Sequence, residues 1–366
     1  MASDNLRGLL QWLGADPAMV PAGRLANMVL TSNFMLTGAQ LQVTDLNLRL
    51  DNTAISGAGT YLLQARPSFG VALSVDRVNL DGYLPAAAAA SGKNADAAGP
   101  AKSKATATAA GSLALLEEFD GNLNLRVGEL TYNAAPVRGI AAELSLVGGK
   151  LTVRRATVQD LAGAGLALSG SGEGFAAAPS GRAKLQVKAN SLAGLVRLAG
   201  VDLGIPAKRL TGLSLDADLK GDAKRLELAL RGGLAGGKFA LSGAASNLTA
   251  APAADLRLDL DHPSLAKLAK LLDLGLAPSA KADTPIAVRA TAKGDLAALT
   301  LDASANLAGA RLNGSGKIAN IETAPRLDLK VAAKHADLAG LMRALGADYR
   351  PAKRDLGGLE LSTRLT

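Results

Sequence analysis

The chain has no cysteine, only two histidines and few aromatic residues, which make up 3% of its 366 residues. The lack of cysteine excludes disulfides and fits a periplasm, but it fits the cytosol of many organisms equally well. No run of about 18 apolar residues occurs, so no membrane-spanning helix is predicted. The opening MASDNLRGLL lacks the sustained apolar core of a signal peptide.

Basic residues exceed acidic ones by 40 to 32, which gives a net charge of +8. The charges are dispersed along the chain, and this pattern favours a solvated outer face. Attraction to anionic lipid headgroups is the functional alternative. Because clustered basic stripes and stacking aromatics are lacking, nucleic-acid binding is not expected.

A repeat of 73 residues organises the sequence. The segment PAADLRLDLDHPSLAKLAKLL begins at Pro252, and related segments begin at Pro179 and Pro325. Each copy is a turn proline, an alternating strand and a short amphipathic helix. The repeat predicts a mostly β protein, an elongated array of antiparallel β-modules that curls into an open groove, with one short helix per module.

The predicted organisation starts with a helix and stops within a strand, which suggests a segment of a longer protein. The predicted ranges are 1–84, a partial helix and the first β-module; 85–112, an Ala/Lys-rich linker; 113–200, the second module; 201–273, the third; 274–346, the fourth; and 347–366, the start of another. Ser264 and Asp337 are predicted helix N-caps, and Gly275 and Gly346 are predicted helix terminators.

Along the strands, large aliphatic residues alternate with polar ones, so each strand has one apolar face. The polar side includes Arg225, Glu227 and Asp259. The residues predicted to line an apolar groove are Leu185, Val187, Leu213, Leu215, Leu226, Leu228, Leu230, Phe239, Leu241, Leu256, Leu258, Leu260, Ile286, Val288, Leu327, Leu329 and Val331.

One short helix cannot cover four strands, which span roughly 19 Å at about 4.8 Å each. Two arrangements remain open on this argument. The sheet either closes its apolar face on itself, as in a sandwich or packed solenoid, or leaves an open apolar trough for an external apolar partner.

No pattern typical of catalysis is present. His262 and His335 stand one period apart, too far for a shared metal, and a turn or capping role is predicted for both. The glycines between Gly170 and Gly174 lack the Lys-Ser/Thr of a phosphate loop and are interpreted as a strand turn. We therefore expect no enzyme activity, no metal and no cofactor.

Several motifs carry a resemblance to a known family. They are residues 75–85 (VDRVNLDGYLP), the Ala/Pro/Lys linker, residues 119–125 (FDGNLNL), and residues 140–153 (IAAELSLVGGKLTV) followed by Gly170-Ser171-Gly172. In this order they resemble the AsmA family of bacterial envelope proteins. The resemblance is densest over residues 41–200, and through the repeat it extends along the chain.

The resemblance implies a periplasmic protein, anchored in the inner membrane by an N-terminal helix that this sequence lacks. AsmA-like proteins, similar to TamB-type proteins, are thought to form grooves of repeated β-modules that carry phospholipid acyl chains between the inner and outer membranes. The expected partners are phospholipids, the inner membrane and outer-membrane assembly components.

Three functions follow in order of preference. The first is bridge-like lipid transfer along an apolar β-groove, and the second is a structural or interaction scaffold in outer-membrane assembly with a closed core. The third is an enzyme, which would need polar residues to converge from separate modules.

Overall fold

The computed structural model of the chain describes residues 2–12, 20–21, 23–84, 115–201, 204–247, 251–273, 283–321, 325–345 and 357–365. Strands make up most of the described residues, as the sequence predicted. The whole 85–112 linker and the predicted terminators Gly275 and Gly346 lie outside the described residues.

Tertiary contacts divide the chain into two compact units. Unit 1 comprises Met1–Leu185 with Gly194–Val201, and unit 2 comprises Gln186–Ala193 with Asp202–Thr366. The division falls inside strand β10, so that strand contributes to both units. The predicted modules stay a prediction, because antiparallel pairing continues across the predicted boundary between residues 273 and 274.

Unit 1 is an open sheet whose strands pair in sequence order from β2 to β9. Its elements are β1 (Ala2–Ser3), α1 (Leu6–Trp12), β2 (Met28–Thr37), β3 (Gln40–Leu50), β4 (Thr53–Leu62), β5 (Ser68–Asn79), β6 (Asp120–Tyr132), β7 (Ala135–Val147), β8 (Lys150–Leu161), β9 (Ala164–Glu173), β10 (Ser180–Ser191) and α2 (Ala193–Ala199), with 3-10 turns at Leu80–Gly82 and Leu115–Glu117.

The mostly antiparallel pairing that the sequence predicted has one exception in unit 1, where β5 and β6 pair in parallel. The connection between these strands runs from residue 80 to residue 119 and contains the linker. A parallel neighbour requires a crossover of a dozen or more residues, which this connection supplies and the short turns elsewhere do not. The parallel register still places Val71 beside Leu123 and Leu73 beside Leu125, so the apolar face continues across it.

Unit 2 is also an open sheet, antiparallel from β11 to β19. Its elements are a 3-10 turn (Ala207–Arg209), β11 (Thr211–Asp222), β12 (Arg225–Leu234), β13 (Gly237–Ser246), β14 (Ala253–His262), α3 (Leu265–Leu272), β15 (Ile286–Asp295), β16 (Ala298–Leu307), β17 (Ala310–Ala319), β18 (Arg326–His335), α4 (Leu338–Ala344) and β19 (Leu359–Leu365).

The two helices of unit 2 lie at the same edge of its sheet. Helix α3 connects the end of β14 to the start of β15, where His262 pairs with Ile286. Helix α4 connects β18 to β19 in the same way, and β14 and β18 run in the same direction because three antiparallel strands separate them. In α3, Leu265 is only 2% exposed and Ala269 is buried. The tightest packing therefore lies at this edge.

Helix α3 begins as the sequence predicted. The Ser264 hydroxyl oxygen accepts a hydrogen bond from the Lys267 N–H at 3.0 Å, as an N-cap does. The same hydroxyl donates to Asp283 at 2.5 Å, and this bond lowers the pKa of the Asp283 carboxyl. At α4 the Asp337 carboxylate accepts from the Gly340 N–H at 2.8 Å. Both predicted N-caps are confirmed.

None of the described helices is long and apolar enough to cross a membrane.

Candidate functional site

The strand register of unit 2 aligns apolar residues into rows that run across the sheet. In one row Leu228 lies beside Gly243, which lies beside Leu256. In the next row Leu230 lies beside Leu241, which lies beside Leu258. Because side chains alternate between faces, all of these residues lie on one side of the sheet. We call this side the apolar face of unit 2.

The sequence-predicted residues on strands β11 to β18 all lie on this face. Strand pairing or alternation within a strand places the following there: Leu213, Leu215, Leu226, Leu228, Leu230, Phe239, Leu241, Leu256, Leu258, Leu260, Ile286, Val288, Leu327, Leu329 and Val331. Their role in binding a lipid stays a prediction.

The remaining two predicted residues, Leu185 and Val187, lie on β10, at the division between the units. Between them, Gln186 donates a side-chain hydrogen bond to Asp216 of β11 at 2.7 Å. Since neighbouring side chains of a strand point to opposite faces, Val187 lies on the side opposite this polar contact.

The sequence interpretation missed other members of the apolar face. They are Leu219, Leu299, Leu301, Leu307, Leu312, Ile318, Leu361 and Leu365. The alternation that identified Leu226 and Leu228 also marks Leu299 and Leu301, so the signal was available.

The large side chains of this face are only partly buried. Ile286 is buried, but it lies at the helix-bearing edge, while Leu228, Leu241 and Leu258 in the middle of the sheet are half-buried. Among the described residues no large side chain falls below 2% exposure. A core between two packed layers would bury such side chains fully. The middle of the face is therefore open to solvent.

Small residues separate the large ones in some of the rows, although Leu230, Leu241 and Leu258 are direct neighbours. A Cβ at Gly232 would lie 2.9 Å from the Phe239 ring, which covers this glycine from the neighbouring strand. Gly243, between Leu228 and Leu256, has a φ of 142°, a conformation that glycine accepts and L residues rarely adopt. At Gly243 the backbone of the neighbouring strand lies where a Cβ would be, so the surface between Leu228 and Leu256 is slightly lower than at the leucines.

The opposite face is polar and contains a ladder of ion pairs. Arg289 pairs with Asp259 at 2.8 Å and with Asp261 at 3.0 Å. Arg257 pairs with Asp259 at 3.3 Å. Because the arginines of these pairs are 42% and 64% exposed, each pair contributes at most about 1 kcal/mol. Their effect is to keep this face hydrated.

At the last strand pair, Arg364 of β19 binds Asp328 of β18 through two contacts of 2.7 Å. The hydrogen bond from Arg364 lowers the pKa of the Asp328 carboxyl, and the same bond raises the pKa of the guanidinium. Two parallel bonds of this kind fix the position of β19 on its neighbour.

Broad depressions lie on the polar faces of both units. In unit 2 a cavity of about 460 Å³ has Arg257, Arg289 and Lys330 around short residues such as Ser304 and Ser315. In unit 1 a cavity of about 560 Å³ is lined by polar side chains that include Gln42, Asn122, Asn124, Glu143 and Arg154. The predicted apolar residues thus form an open surface in the part of the chain described, and a groove remains a proposal.

Both histidines join a turn to the start of a helix, the role that the sequence predicted. His262 Nδ1 accepts from the Ser264 N–H at 3.1 Å, and His262 Nε2 lies 3.3 Å from the Ala235 carbonyl oxygen in the β12–β13 turn. His335 does the same with Asp337 at 3.0 Å and Ala308 at 3.1 Å. In both cases Nε2 donates and Nδ1 accepts.

The glycines interpreted as a strand turn lie mostly inside a strand. Gly170 and Gly172 belong to β9, and Gly174 alone follows it with a positive φ of 71°. A Cβ at Gly170 would lie 2.3 Å from the Arg182 carbonyl oxygen, so close approach of β10 explains this glycine better than a turn. Across the described residues, no group of three or more acidic or His side chains is arranged to hold a metal ion.

Comparison with protein-family models, with curated proteins and with solved structures finds no match for this chain.

Proposed function

We propose that this chain is a bridge-like lipid-transfer protein of the periplasm that binds phospholipid acyl chains on its apolar sheet faces. The observation that supports this most directly is the apolar face of unit 2. Nine neighbouring strands keep Leu, Val, Ile, Phe, Ala and Gly in register on one side. In the middle of the sheet the large side chains remain half-exposed.

An acyl chain is a suitable ligand for such a surface. Each methylene moved from water to an apolar surface contributes about 0.8 kcal/mol, independent of direction. Each row runs across the nine strands, which span about 38 Å, and neighbouring rows have a similar composition. Binding free energy then stays similar at successive positions, and a chain can move along the face without a deep trap.

A phospholipid also has a headgroup that must stay in water, and the polar face bears on this requirement. Its ion pairs, such as Arg289 with Asp259, keep it in water. A lipid bound on the apolar side would have its tails against leucines and its headgroup at a hydrated sheet edge. Transport between the inner and outer membranes, inner-membrane anchoring and contact with outer-membrane assembly components follow from the proposed membership of the AsmA family. Catalysis has no place in this proposal.

The test is native mass spectrometry with lipid extraction on the purified chain. We expect phospholipid to co-purify with it. Leu228→Asp combined with Leu258→Asp introduces two carboxylates into adjacent rows of the apolar face, and we expect the bound lipid to be lost. Circular dichroism should show that the variant remains folded, because these side chains are half-buried and not enclosed.

The matched control is Ser242→Asp. Ser242 lies on β13 between Leu241 and Gly243 but faces the opposite side, next to Arg257. This variant should retain its lipid. A folded, lipid-free wild-type chain would contradict lipid transfer and favour the scaffold, in which the apolar faces close on each other or on a protein.

A further inference from the structure

One end of the sheet of unit 1 exposes a cluster of large apolar side chains. The cluster lies at the tip of the β2–β3 hairpin and at the adjoining end of β4, and we call it the apolar tip. Its members and their exposed fractions are Phe34 68%, Met35 61%, Leu36 75%, Leu41 38%, Tyr61 40% and Leu63 63%.

Strand pairing brings these residues together. Leu36 lies beside Leu41, and Leu41 lies beside Tyr61. The Leu63 N–H donates to the Ala39 carbonyl oxygen at 2.7 Å, which joins the end of β4 to the hairpin turn. The apolar tip is therefore one surface and not a set of scattered exposed residues.

The segments that form the tip contain no charged residue, and the charged residues of β3, Asp45 and Arg49, lie farther along that strand. Residues 25–44 and residues 52–65 have no Asp, Glu, Lys, Arg or His, although 20% of the whole chain is charged. The other end of the same strands is strongly polar. Arg24, Asp51 and Tyr83 lie there, about 33 Å away along strands of ten residues.

The tip is apolar on both faces of the hairpin. Phe34 and Leu36 point to one face, and Met35 points to the other. By contrast Phe69, nearby on β5, packs against Phe119 with ring centroids 5.3 Å apart and covers Gly121. Unit 1 thus gives Phe69 an internal partner, while the side chains of the tip remain in solvent.

Contiguous exposed apolar residues of this kind mark interaction surfaces. A protein groove typically contacts one face of a strand and surrounds its apolar centre with a polar rim. Here both faces are apolar and the tip segments lack charge, so the favoured partner surrounds the end of the hairpin with an apolar medium. The interfacial region of a bilayer does so, and it accommodates Tyr rings and short polar residues such as Thr37 and Gln40.

We propose that the apolar tip inserts into the interfacial region of a lipid bilayer and docks unit 1 on a membrane by one end of its strands. This docking is independent of acyl-chain binding on the apolar face of unit 2. It assigns to this chain a membrane contact of its own, made by a hairpin.

The test is binding of the whole chain to phosphatidylcholine vesicles in a sedimentation assay. Phe34→Asp with Leu36→Asp should weaken binding at least tenfold, since two exposed apolar side chains are lost. Binding should be the same at low and high salt, because the segments that form the tip are uncharged. Val147→Ser removes a similarly exposed side chain, 62% exposed, from another hairpin of unit 1, and it should leave binding unchanged.

A second measurement does not depend on the vesicle affinity of the Phe34→Asp, Leu36→Asp variant. With Trp12→Phe and Phe34→Trp, residue 34 becomes the only tryptophan, since the chain contains one. Its fluorescence should shift to the blue with vesicles and be quenched by acyl-brominated phosphatidylcholine. Absence of quenching, or binding that Val147→Ser and the tip variant weaken equally, would overturn the proposal. Self-association abolished by the tip variant, without vesicle binding, would overturn it in favour of a protein contact.

The two proposals are distinguishable. A chain with Phe34→Asp and Leu36→Asp should still contain co-purified phospholipid, whereas Leu228→Asp with Leu258→Asp should still bind vesicles. Simultaneous loss of both properties in either variant would contradict the independence stated here.

Discussion

At the helix-bearing edge of unit 2, single residues connect a strand turn to the start of a helix through hydrogen bonds. His262 is 3% exposed and bridges the β12–β13 turn to the start of α3 through both ring nitrogens. Ser264 is equally buried and caps the helix. These polar residues are buried because every hydrogen-bonding group has a partner, as buried polar atoms require.

We predict that His262→Ala lowers the free energy of unfolding by about 1–3 kcal/mol, because it leaves the Ser264 N–H and the Ala235 carbonyl without their partner. Urea unfolding followed by circular dichroism would measure this. His335→Ala removes the same two bonds at a half-buried position and should cost less. Equal losses in both variants would contradict the role of burial.

The polar end of unit 1 contains a second hydrogen-bond network, which is partly buried. Partial burial raises the pKa of Asp51, but hydrogen bonds from Tyr83 and from the N–H groups of Asn27, Leu25 and Ala26 outweigh it, and the pKa is lowered overall. Burial first, and then the hydrogen bond to Asp51 at 2.8 Å, raise the pKa of Tyr83 to about 12.

These shifts predict a pH window. The lowered pKa of Asp51 stabilises the fold above its unfolded value of about 3.9, and this stability is lost as pH falls through the folded value. The raised pKa of Tyr83 stabilises the fold below about pH 10 and is lost as pH rises through about 12. Tyr83→Phe should therefore cost about 1 kcal/mol at neutral pH, and less at both extremes.

Spectrophotometric titration checks this assignment. Tyr83 should ionise near pH 12, and that step should be missing in Tyr83→Phe. Tyr132→Phe is the matched control, because Tyr132 is 45% exposed. Persistence of the late step in Tyr83→Phe would contradict the hydrogen bond to Asp51.

At the scale of elements, local patterns predicted strands and faces well. The alternation at Leu226, Leu228 and Leu230 was sufficient to predict β12 and its apolar side. Apolar residues at every second position indicate a strand and place those residues on the same face. Ser264 before an amphipathic run likewise predicted the start of α3. These features depend on neighbours in sequence.

The parallel pairing of β5 and β6 could not be predicted in the same way. A connection of 40 residues permits either direction, and only strand partners in space decide between them. The exposure of Phe34 and Leu36 was not predicted either. A strand pattern shows which residues share a face, but it does not show whether another element packs on that face. For the same reason the sequence identified the residues of the apolar face, but it could not place the depressions on the polar side.

The crossover gives a prediction at this scale. Deleting residues 86–105 leaves a connection of 20 residues between β5 and β6, still long enough for a parallel neighbour. Halving a loop changes its closure entropy by only about 0.6 kcal/mol, so thermal stability should remain close to that of the wild type. Circular dichroism melting would measure it.

A matched variant tests how short the connection between β5 and β6 can be. Replacing residues 81–118 by a four-residue turn is too short for the crossover and should abolish the native strand order, with loss of cooperative melting. If this variant melted like the wild type, the parallel pairing would be contradicted.

At the scale of the whole molecule, each unit is an open sheet with one apolar and one polar face, and the helices cover only an edge. Such a sheet leaves large apolar side chains in contact with water, and contiguous exposed apolar surface marks interaction sites. Lipid on the apolar faces and a bilayer at the apolar tip each remove part of this surface. Both proposals rest on the same physical requirement, that apolar surface be covered.

The most direct measurement of the central claim is site-specific photo-crosslinking with benzoylphenylalanine at adjacent positions of β13. Leu241 lies on the apolar face and Ser242 on the polar face, so the two probes differ only in the side of the sheet. The account predicts that a probe at position 241 forms adducts with phospholipid acyl chains and that a probe at position 242 does not. Adducts of equal yield at both positions, or adducts with protein alone at position 241, would contradict it.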